Sequence, residues 1–280
     1  MIQFLDNYQP WLKDHTFTVP KNTILEMPIH IKLSENIQYH FHVESNCNLT
    51  LIVEFEPLSN HQNQVDLSLD IQPNSHIKYV LISEEKITKI AINQTVNVSE
   101  DANVHVISGF LSQTLDVDLK VNLKGQNARA MVNAIAVSND QQQQTIDVHL
   151  THYAPYSYGD MYNVGISNGY GRVTLNGVEK IEKGMKQANA FQTLKGIILS
   201  DFSMVDVNPI LLIDEYDVKA GHGATVGKIE DQQLYYLQSR GLTKVEAEKL
   251  IIKGYIKPIL DEINDQVLVE RLEQTIYVRI

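Results

Sequence analysis

The feature that most constrains the fold is a period-two alternation of apolar and polar residues that runs from about Ile29 to about Ile213. Short alternating runs are separated by polar or glycine-containing turns, as between Val117 and Leu123, which precede Lys124-Gly125. Alternation at this period places successive side chains on opposite faces of a β-strand. No amphipathic stretch between the runs is long enough for a crossover helix, so the pattern predicts consecutive strands and disfavours a doubly wound α/β fold.

Two further runs show the same alternation of apolar and polar residues. One extends from Ile146 to Leu150, and another, from Val173 to Leu175, stops before Asn176-Gly177, a pair typical of turns. No sequence motif repeats between Ile29 and Ile213. The period alone therefore leaves a β-sandwich and a β-solenoid equally open.

After Gly227 the apolar period changes from two to 3.6 residues, which is the period of an amphipathic helix. The chain therefore divides into an N-terminal segment (1–28), a β core (29–227) and a C-terminal helical domain (228–280). A first helix is predicted from Ile229 to Gln238, with Gly241 just past its end as the C′ residue. The last stretch, 266–280, alternates apolar and charged residues and has no period that we can assign.

Thr243 and Glu246 predict the start of a second helix, because a hydroxyl and a carboxylate three residues apart can form a reciprocal capping box. Pro258 predicts a kink or a split near Lys257, since proline lacks a backbone donor and clashes with the preceding turn. The helix is predicted to have one apolar stripe and one basic row. The stripe comprises Ala247, Leu250, Ile251, Ile256, Ile259, Leu260 and Ile263, and the basic row comprises Lys249, Lys253 and Lys257.

Charge and cysteine content exclude several functions. The 280 residues include 23 Lys and Arg against 34 Asp and Glu, a net charge of −11, so nucleic acid and membrane partners are not expected. The first residues, Met1 to Asp6, lack the basic and apolar regions of a secretion signal, which favours a cytoplasmic protein. The single cysteine, Cys47, excludes a multi-thiolate metal site built from this chain alone, and a lone thiol is most often a small buried residue.

Three glycines surround His222 in the segment from Asp217 to Lys228. This segment is not a phosphate loop, because a Walker A motif would need glycine at position 222 and Ser or Thr where Ile229 stands. The dinucleotide-binding pattern G-x-G-x-x-G is also absent, because Gly227 lies one residue too late to follow Gly221 and Gly223. Glycines let another backbone approach closely, so His222 suits a ligand or an interface, although an isolated histidine is more often a structural hydrogen-bonding group.

Other polar residues give weaker signals. His149 and His152 lie three apart in a predicted strand, which places them on opposite faces and argues against a paired metal site. Asp214, Glu215 and Asp217 could act as acid and base, but a solvated turn is the favoured interpretation. No Ser-His-Asp or Cys-His set has a defining local context.

Five groups of residues occur in order between Gln187 and Gly254 and together carry a family resemblance. They are Phe191-Gln192 with Ile197-Ile198-Leu199-Ser200, Asn208-Pro209-Ile210-Leu211, Asp217-Val218-Lys219, His222-Gly223-Ala224-Thr225-Val226-Gly227, and Gln233-Leu234-Tyr235-Tyr236-Leu237-Gln238-Ser239-Arg240-Gly241. Their order and spacing resemble the SufB/SufD family of iron-sulfur cluster assembly scaffold proteins. The resemblance implies a mainly β fold, a right-handed parallel β-helix followed by a small C-terminal helical domain. Gly-Ala-Thr-Val-Gly after His222 is more similar to the SufD branch than to SufB, whose members tend to carry Glu-Ala there, and the chain would be a short form.

The resemblance also implies a function. The chain would be a non-enzymatic scaffold or adaptor that docks a SufC-like ABC-type ATPase and pairs with a SufB-like scaffold or with itself as a homodimer. His222 would lie at that interface as at most one nitrogen ligand to metal. With one cysteine, the isolated chain should hold no cluster stably, and a transient iron-sulfur cluster would form only with a partner. The ATPase docking candidates on the predicted helices are Tyr235, Tyr236, Ile251, Lys253, Tyr255 and Ile256.

Two alternative functions stay open on the sequence. One is a β-helix carbohydrate-active enzyme, which would need carboxylate or metal sites on a solenoid face. The other is a degenerate structural paralogue that only dimerises and holds other subunits, with no ligand role for His222. The alternative for the docking candidates is that they simply pack the helices onto the end of the β-helix.

Overall fold

The strands of the chain alternate between two nine-stranded sheets. The computed structural model describes residues 2–4, 8–33, 38–55, 63–83 and 88–280. The strands are β1 (Ile2–Phe4), β2 (Leu12–Lys13), β3 (Thr16–Val19), β4 (Ile29–Leu33), β5 (Gln38–Val43), β6 (Asn48–Phe55), β7 (Asn63–Ile71), β8 (His76–Ser83), β9 (Lys89–Val98), β10 (Asn103–Phe110), β11 (Thr114–Leu123), β12 (Arg129–Ser138), β13 (Gln143–His152), β14 (Tyr158–Ser167), β15 (Arg172–Ile181), β16 (Asn189–Ile198), β17 (Met204–Ile213) and β18 (Lys219–Lys228). Sheet A has the order β1-β4-β6-β8-β10-β12-β14-β16-β18, and sheet B has the order β17-β15-β13-β11-β9-β7-β5-β3-β2.

Neighbouring strands within a sheet are one coil apart in sequence. In sheet A, Asn103 lies beside Arg129 and Arg129 lies beside Tyr158, and both pairings are parallel. Only the first strand of each sheet pairs antiparallel among the described residues, β1 with β4 and β2 with β3. A sandwich built from hairpins would pair sequence neighbours antiparallel, whereas a solenoid pairs each strand with its equivalent in the next coil. The fold is therefore the parallel β-solenoid.

Side chains of alternate positions fill the space between the sheets, as the period-two pattern predicts. From Val117 to Leu123 the alternate apolar residues are buried, and so are those from Ile146 to Leu150. The turn predicted at Asn176-Gly177 is wrong, because both residues lie inside β15. Asn176 continues a ladder of side-chain amides on the outer face, donating to Asp147 and accepting from Asn208. Hydrogen bonds between side chains of adjacent coils favour Asn within a strand. The preference of Asn-Gly for turns, which reflects local sequence alone, does not take these bonds into account.

The β-solenoid extends beyond both predicted boundaries. β3 lies within the predicted N-terminal segment 1–28, yet pairs in parallel with β5 as a full member of sheet B. At the other end, β18 continues to Lys228, one residue past the predicted boundary at Gly227. The glycines around His222 weakened the alternation signal, which is why the sequence placed this last strand at a junction.

Three helices follow the last strand, α1 (Asp231–Ser239), α2 (Lys244–Leu260) and α3 (Gln266–Arg279). The predicted capping box is present, because Thr243 Oγ1 accepts from the Glu246 amide and Glu246 accepts from the Thr243 amide. Gly241 has φ +97°, as a C′ glycine should. The predicted split at Pro258 is wrong, since α2 continues to Leu260 and Pro258 occupies its last turn. None of the helices in the described ranges is long and apolar enough to cross a bilayer.

Two of the helices, α2 and α3, pack on the outer face of sheet A and share a second apolar core with it. This core joins nine strand residues of sheet A, and Leu111 directly after β10, to residues of α2, α3 and the link between them. The strand residues are Ile52, Val80, Ile82, Ile107, Ile135, Val137, Val164, Ile166 and Ile197, and the residues of the helices and their link are Ile252, Ile256, Ile259, Leu260, Ile263, Leu268, Val269, Leu272 and Ile276. The helical segment thus packs along the solenoid rather than standing apart as a separate domain. Sheet A can carry apolar residues on its outer face because α2 and α3 shield them from water.

Polar contacts anchor α3 on the sheet. Arg271 of α3 forms an ion pair with Glu54 of β6, a carboxylate whose pKa is lowered by its hydrogen bond from His30 and by the Arg271 charge, against the effect of burial. Most of 266–280, which sequence periodicity leaves unassigned, is therefore the helix α3, and its apolar face packs on the sheet beneath it.

Candidate functional site

The final coil of the solenoid is the first part of the candidate site. β17 is the last strand of sheet B and β18 is the last strand of sheet A, and no described residue adds a strand beyond either. Edge strands carry backbone donors and acceptors that can pair with another chain. Several large apolar side chains of this coil and the turns flanking it are exposed. They are Phe202, Met204, Ile210, Leu212, Ile213, Tyr216 and Val226.

His222 lies on the interior ladder of sheet A. In register it stands beside Gln192 of β16, which in turn stands beside Met161 of β14. Met161 and Gln192 are buried between the sheets, so the alternation places His222 on the same inward side. His222 itself is exposed, because it belongs to the last coil and no further coil covers it. The structure thus places this histidine above the open end of the interior.

Directly below His222 the interior is polar. Gln192 Nε2 donates to the Ile210 carbonyl oxygen at 2.8 Å, but Gln192 Oε1 has no hydrogen-bond partner among the described residues. Gln192 Oε1 occupies space left by Gly177 of the opposite sheet, where a Cβ would come within 2.5 Å of it. A side chain at position 177 would therefore displace the amide that lies beneath His222.

Glu179 of β15 is the second polar group of this interior. It is fully buried, and neither carboxyl oxygen finds a hydrogen-bond partner in the described part of the chain. Burial, reinforced by the nearby Asp160 charge, raises the pKa of Glu179 to about 9. The carboxyl is therefore neutral at pH 7, a protonated acid held inside the coil next to the final one.

His152 lies deeper, one coil below Glu179, at the inward face of β13. Its Nδ1 lies 2.7 Å from Ser157 Oγ, and burial lowers the pKa of His152 to about 4. His149 faces outward on the same strand, so the predicted placement on opposite faces is confirmed and the two do not form a metal site. His152 is a neutral core histidine.

The carboxylates before β18 form a turn. Glu215 accepts backbone hydrogen bonds from Tyr216 and Gly184, and these bonds lower its pKa. Cys47 is buried near the opposite end of the solenoid, with Sγ 3.2 Å from the Pro20 carbonyl oxygen. It is a small core residue, and the sheet order places it far from the last coil.

The six ATPase docking candidates do not share one surface. Tyr235 and Tyr236 of α1 are exposed, with residue accessibilities of 75% and 57%. Ile256 is fully buried in the core between α2 and sheet A, so it is not an exposed anchor, and it packs α2 on the outer face of the sheet rather than on the end of the β-helix. The buried stripe of α2 runs through Ile252, whereas Leu250, predicted to be buried, is half exposed.

The other three candidates take part in contacts within the chain. Tyr255 packs against the sheet, with Lys195 Nζ 4.1 Å from its ring centre. Lys253 is half-buried and lies 3.4 Å from a Glu273 carboxylate oxygen on α3. Ile251 is half-buried. The accessible part of the predicted surface is therefore the tyrosine pair of α1.

Sequence reasoning missed Glu179 and Gln192. Both stand at inward positions of otherwise apolar alternating runs, Leu175-x-Gly177-x-Glu179-x-Ile181 and Ala190-x-Gln192-x-Leu194. A polar residue at such a position is the signal that could have found them, because burial of an unpaired polar group is costly and needs a reason.

The fold and the site together define a parallel β-solenoid with helices packed on one sheet and an uncovered final coil. The family model for "SUF system FeS cluster assembly, SufBD core domain" matches residues 34–255. The chain therefore belongs to the SufB/SufD family of iron-sulfur cluster assembly proteins.

Three relatives define the similarity. The chain is 39% identical to the iron-sulfur cluster assembly protein SufD of Bacillus subtilis over 142 residues, which is 51% of this chain and 32% of that protein. It is 24% identical to SufD of Escherichia coli over 247 residues, 87% of this chain and 57% of that protein. It is also 24% identical to SufB of Bacillus subtilis over 269 residues, 89% of this chain and 58% of that protein. The chain spans less than two thirds of each relative, and it is closer to SufD.

Proposed function

We propose that this chain is a non-catalytic scaffold subunit of SUF-type iron-sulfur cluster assembly that pairs with a second solenoid chain of the same family through its final coil. The observation that carries the proposal is the uncovered coil formed by β17 and β18, with His222 above a polar interior. A SufB-like scaffold is the expected partner, and a second copy of this chain is the alternative that the experiment distinguishes.

The glycines of β18 support close approach by another backbone. A Cβ added at Gly223 or Gly227 would meet nothing within 4 Å in this chain, and neither residue has a positive φ. Packing and backbone conformation within the chain therefore do not require glycine at these two positions. A partner backbone lying over the outer face of β18 would require it, because a side chain at either position projects from that face and would hold the partner away.

The thiol content supports assembly of the cluster between chains. An iron-sulfur cluster needs several thiolate ligands, and this chain offers one buried cysteine at the other end of the solenoid. Thiolates and sulfur must then come from the partner, while His222 supplies one nitrogen ligand or a hydrogen bond. The isolated chain holds no stable cluster under this proposal.

The tyrosine pair of α1 is the proposed contact for a SufC-like ATPase. Tyr235 and Tyr236 are exposed, and Arg240 lies 5.3 Å from the Tyr236 ring centre, so an aromatic anchor has a cation beside it. Aromatic residues and arginine are enriched at the energetic centres of interfaces. The chain itself has no Walker loop, so any nucleotide-driven step would belong to that partner.

Sedimentation velocity of the full chain, alone and mixed with the SufB-like protein of its own genome, tests the pairing. We expect a 1:1 complex with that partner, lost in Gly223→Leu, which has room to fold, and retained in Asp116→Leu, at an exposed position of a middle coil. A dimer of the chain alone that Gly223→Leu disrupts would identify a second copy as the partner. A strict monomer at high concentration that also forms no complex would contradict the proposal.

Deletion of the helices cannot distinguish loss of an ATPase docking surface from loss of the fold. Removing 232–280 would expose the outer apolar face of sheet A, so loss of binding would follow from unfolding or aggregation. Reversal of Lys253 would also place two acids together, next to Glu273. The double variant Tyr235→Ser, Tyr236→Ser avoids both problems, with Tyr153→Ser, at an exposed position away from the helices and the final coil, as its control. Calorimetric affinity for the ATPase that is equal in all three proteins would rule out α1 as the docking surface.

A further inference from the structure

Two histidines and an aspartate come together on the outer face of sheet B, near the end of the solenoid opposite His222. His40 and His42 lie two residues apart on β5, and Asp70 of β7 is the register partner of His42. One ligand atom from each residue lies within 4.8 Å of the other two. In the ranges that the structure describes, this is the one group of three His, Cys, Asp or Glu side chains that approach so closely.

Hydrogen bonds fix the orientation of two of the three side chains. His40 Nδ1 lies 2.6 Å from Ser68 Oγ, which leaves Nε2 directed at Asp70 Oδ2. Asp70 Oδ1 accepts from Asn97 Nδ2 at 2.7 Å, which leaves Oδ2 for another ligand. Asn97 is itself held by Asn122, whose Nδ2 donates to Asn97 Oδ1 at 3.0 Å. Metal-binding histidines and carboxylates commonly use their second polar atom in this way.

The separation between His40 and Asp70 suits two ligands of one ion better than a direct hydrogen bond. His40 Nε2 and Asp70 Oδ2 are 3.5 Å apart, which is beyond the usual 2.7–3.2 Å range for an N–H···O bond. Two ligands about 2.1 Å from an ion in tetrahedral geometry lie about 3.4 Å apart. The ring of His42, with its centre 6.1 Å from that of His40, stands on the same side.

We propose that His40, His42 and Asp70 form a binding site for a divalent first-row transition metal ion of the Fe²⁺ or Zn²⁺ type. Two imidazoles and one carboxylate suit this class of ion, whereas Mg²⁺ and Ca²⁺ prefer all-oxygen ligands. The side chains of His40 and Asp70 are about one-third exposed, so an ion can enter from solvent and retain water in its remaining positions. The site is separate from the proposed assembly surface at the last coil, and it does not depend on that function.

Titration of the purified full chain with ZnCl₂ in an isothermal calorimeter tests the site, with CoCl₂ absorption spectra as a second readout. We expect one equivalent to bind, with Co²⁺ bands typical of nitrogen and oxygen ligands. His42→Gln and Asp70→Asn should each weaken binding at least tenfold. Asn97→Ala, which removes the hydrogen bond to Asp70 and the one accepted from Asn122, should weaken it by about tenfold. Thermal unfolding followed by circular dichroism verifies that each variant is folded.

Matched controls separate this site from the other histidines of the chain. His149→Gln and His76→Gln should bind Zn²⁺ with the affinity of the natural protein, since both residues lie outside the group of His40, His42 and Asp70. Equal affinity in the natural protein, His42→Gln and Asp70→Asn would overturn the proposal, because the metal would then bind elsewhere. Absence of binding to the natural protein at millimolar Zn²⁺ would also overturn it.

Discussion

Arg279, in the last turn of α3, donates from Nη1 to the carbonyl oxygen of Val137 at 2.7 Å. Its other terminal nitrogen, Nη2, donates to the carbonyl oxygen of Leu111. Arg279 is only 2% exposed, so one guanidinium joins the C-terminal end of the helical segment to two neighbouring coils of sheet A. This contact makes the helices part of the same folded unit as the solenoid.

Arg279→Met should lower the free energy of unfolding by about 1–3 kcal/mol, because buried carbonyl groups lose a charged donor. Gln144 Nε2 also donates to the Val137 carbonyl oxygen, at 3.1 Å, which limits the loss. Urea unfolding measures the change. Val278→Ala, an exposed neighbour on α3, should change stability by less than about 0.5 kcal/mol. Equal effects of the two variants would show that the guanidinium does not anchor the helix.

Ile256→Ala should destabilise the protein by about 2–5 kcal/mol, since it removes a fully buried side chain from the core between α2 and sheet A. Leu250→Ala, on the same helix but half exposed, should cost much less. Thermal or urea unfolding of both variants measures the difference. If Ile256→Ala left stability unchanged and impaired only ATPase binding, the assignment of Ile256 to the core between α2 and sheet A would be wrong.

Stability should fall with pH above about 6.5 because of Glu179. Its folded pKa of about 9 lies above the ordinary value of 4.5, so its contribution is complete below pH 4.5 and disappears as the pH rises to 9. His152 acts in the opposite sense. Its folded pKa of about 4 lies below the ordinary 6.5, so its contribution is lost as the pH falls from 6.5 to 4.

The two effects oppose each other between pH 4.5 and 6.5, and only the Glu179 effect operates above that range. From pH 6.5 to 8.5 the natural protein should lose about 2–3 kcal/mol, at up to about 1.4 kcal/mol per pH unit, whereas Glu179→Gln should lose much less. Urea unfolding at several pH values measures both curves. Parallel curves for the two proteins would show that Glu179 is ionised in the fold.

Gly177→Ala should lower stability by about 1–3 kcal/mol, because its Cβ would come within 2.5 Å of Gln192 Oε1 and 2.9 Å of Met161 Sδ. Gly223→Ala is the matched control, since a Cβ there meets nothing within 4 Å. Urea midpoints give the comparison. A stable Gly177→Ala protein with unperturbed partner binding would indicate that Gln192 moves freely beneath His222.

The candidate site was partly accessible from sequence. The family resemblance led to His222, and its inward position follows once the register of β18 against β16 is known. The buried Glu179 and the proposed metal site at His40 were not found, because each depends on residues brought together by coil register. His42 and Asp70 are 28 positions apart in the chain and adjacent in the sheet.

Local pattern in the chain correctly predicts most of the strands, the lack of a crossover helix among the described residues between them, the capping box at Thr243 and the C′ glycine at Gly241. These features depend on interactions between residues that are close in the chain. Contacts between distant residues place Asn176-Gly177 within a strand, bring Ile252 into the buried stripe of α2, and make 266–279 a helix. In each case the residues that make the deciding contacts lie in another coil or on the face of sheet A. Contacts between residues so far apart in the chain leave no pattern in the local sequence.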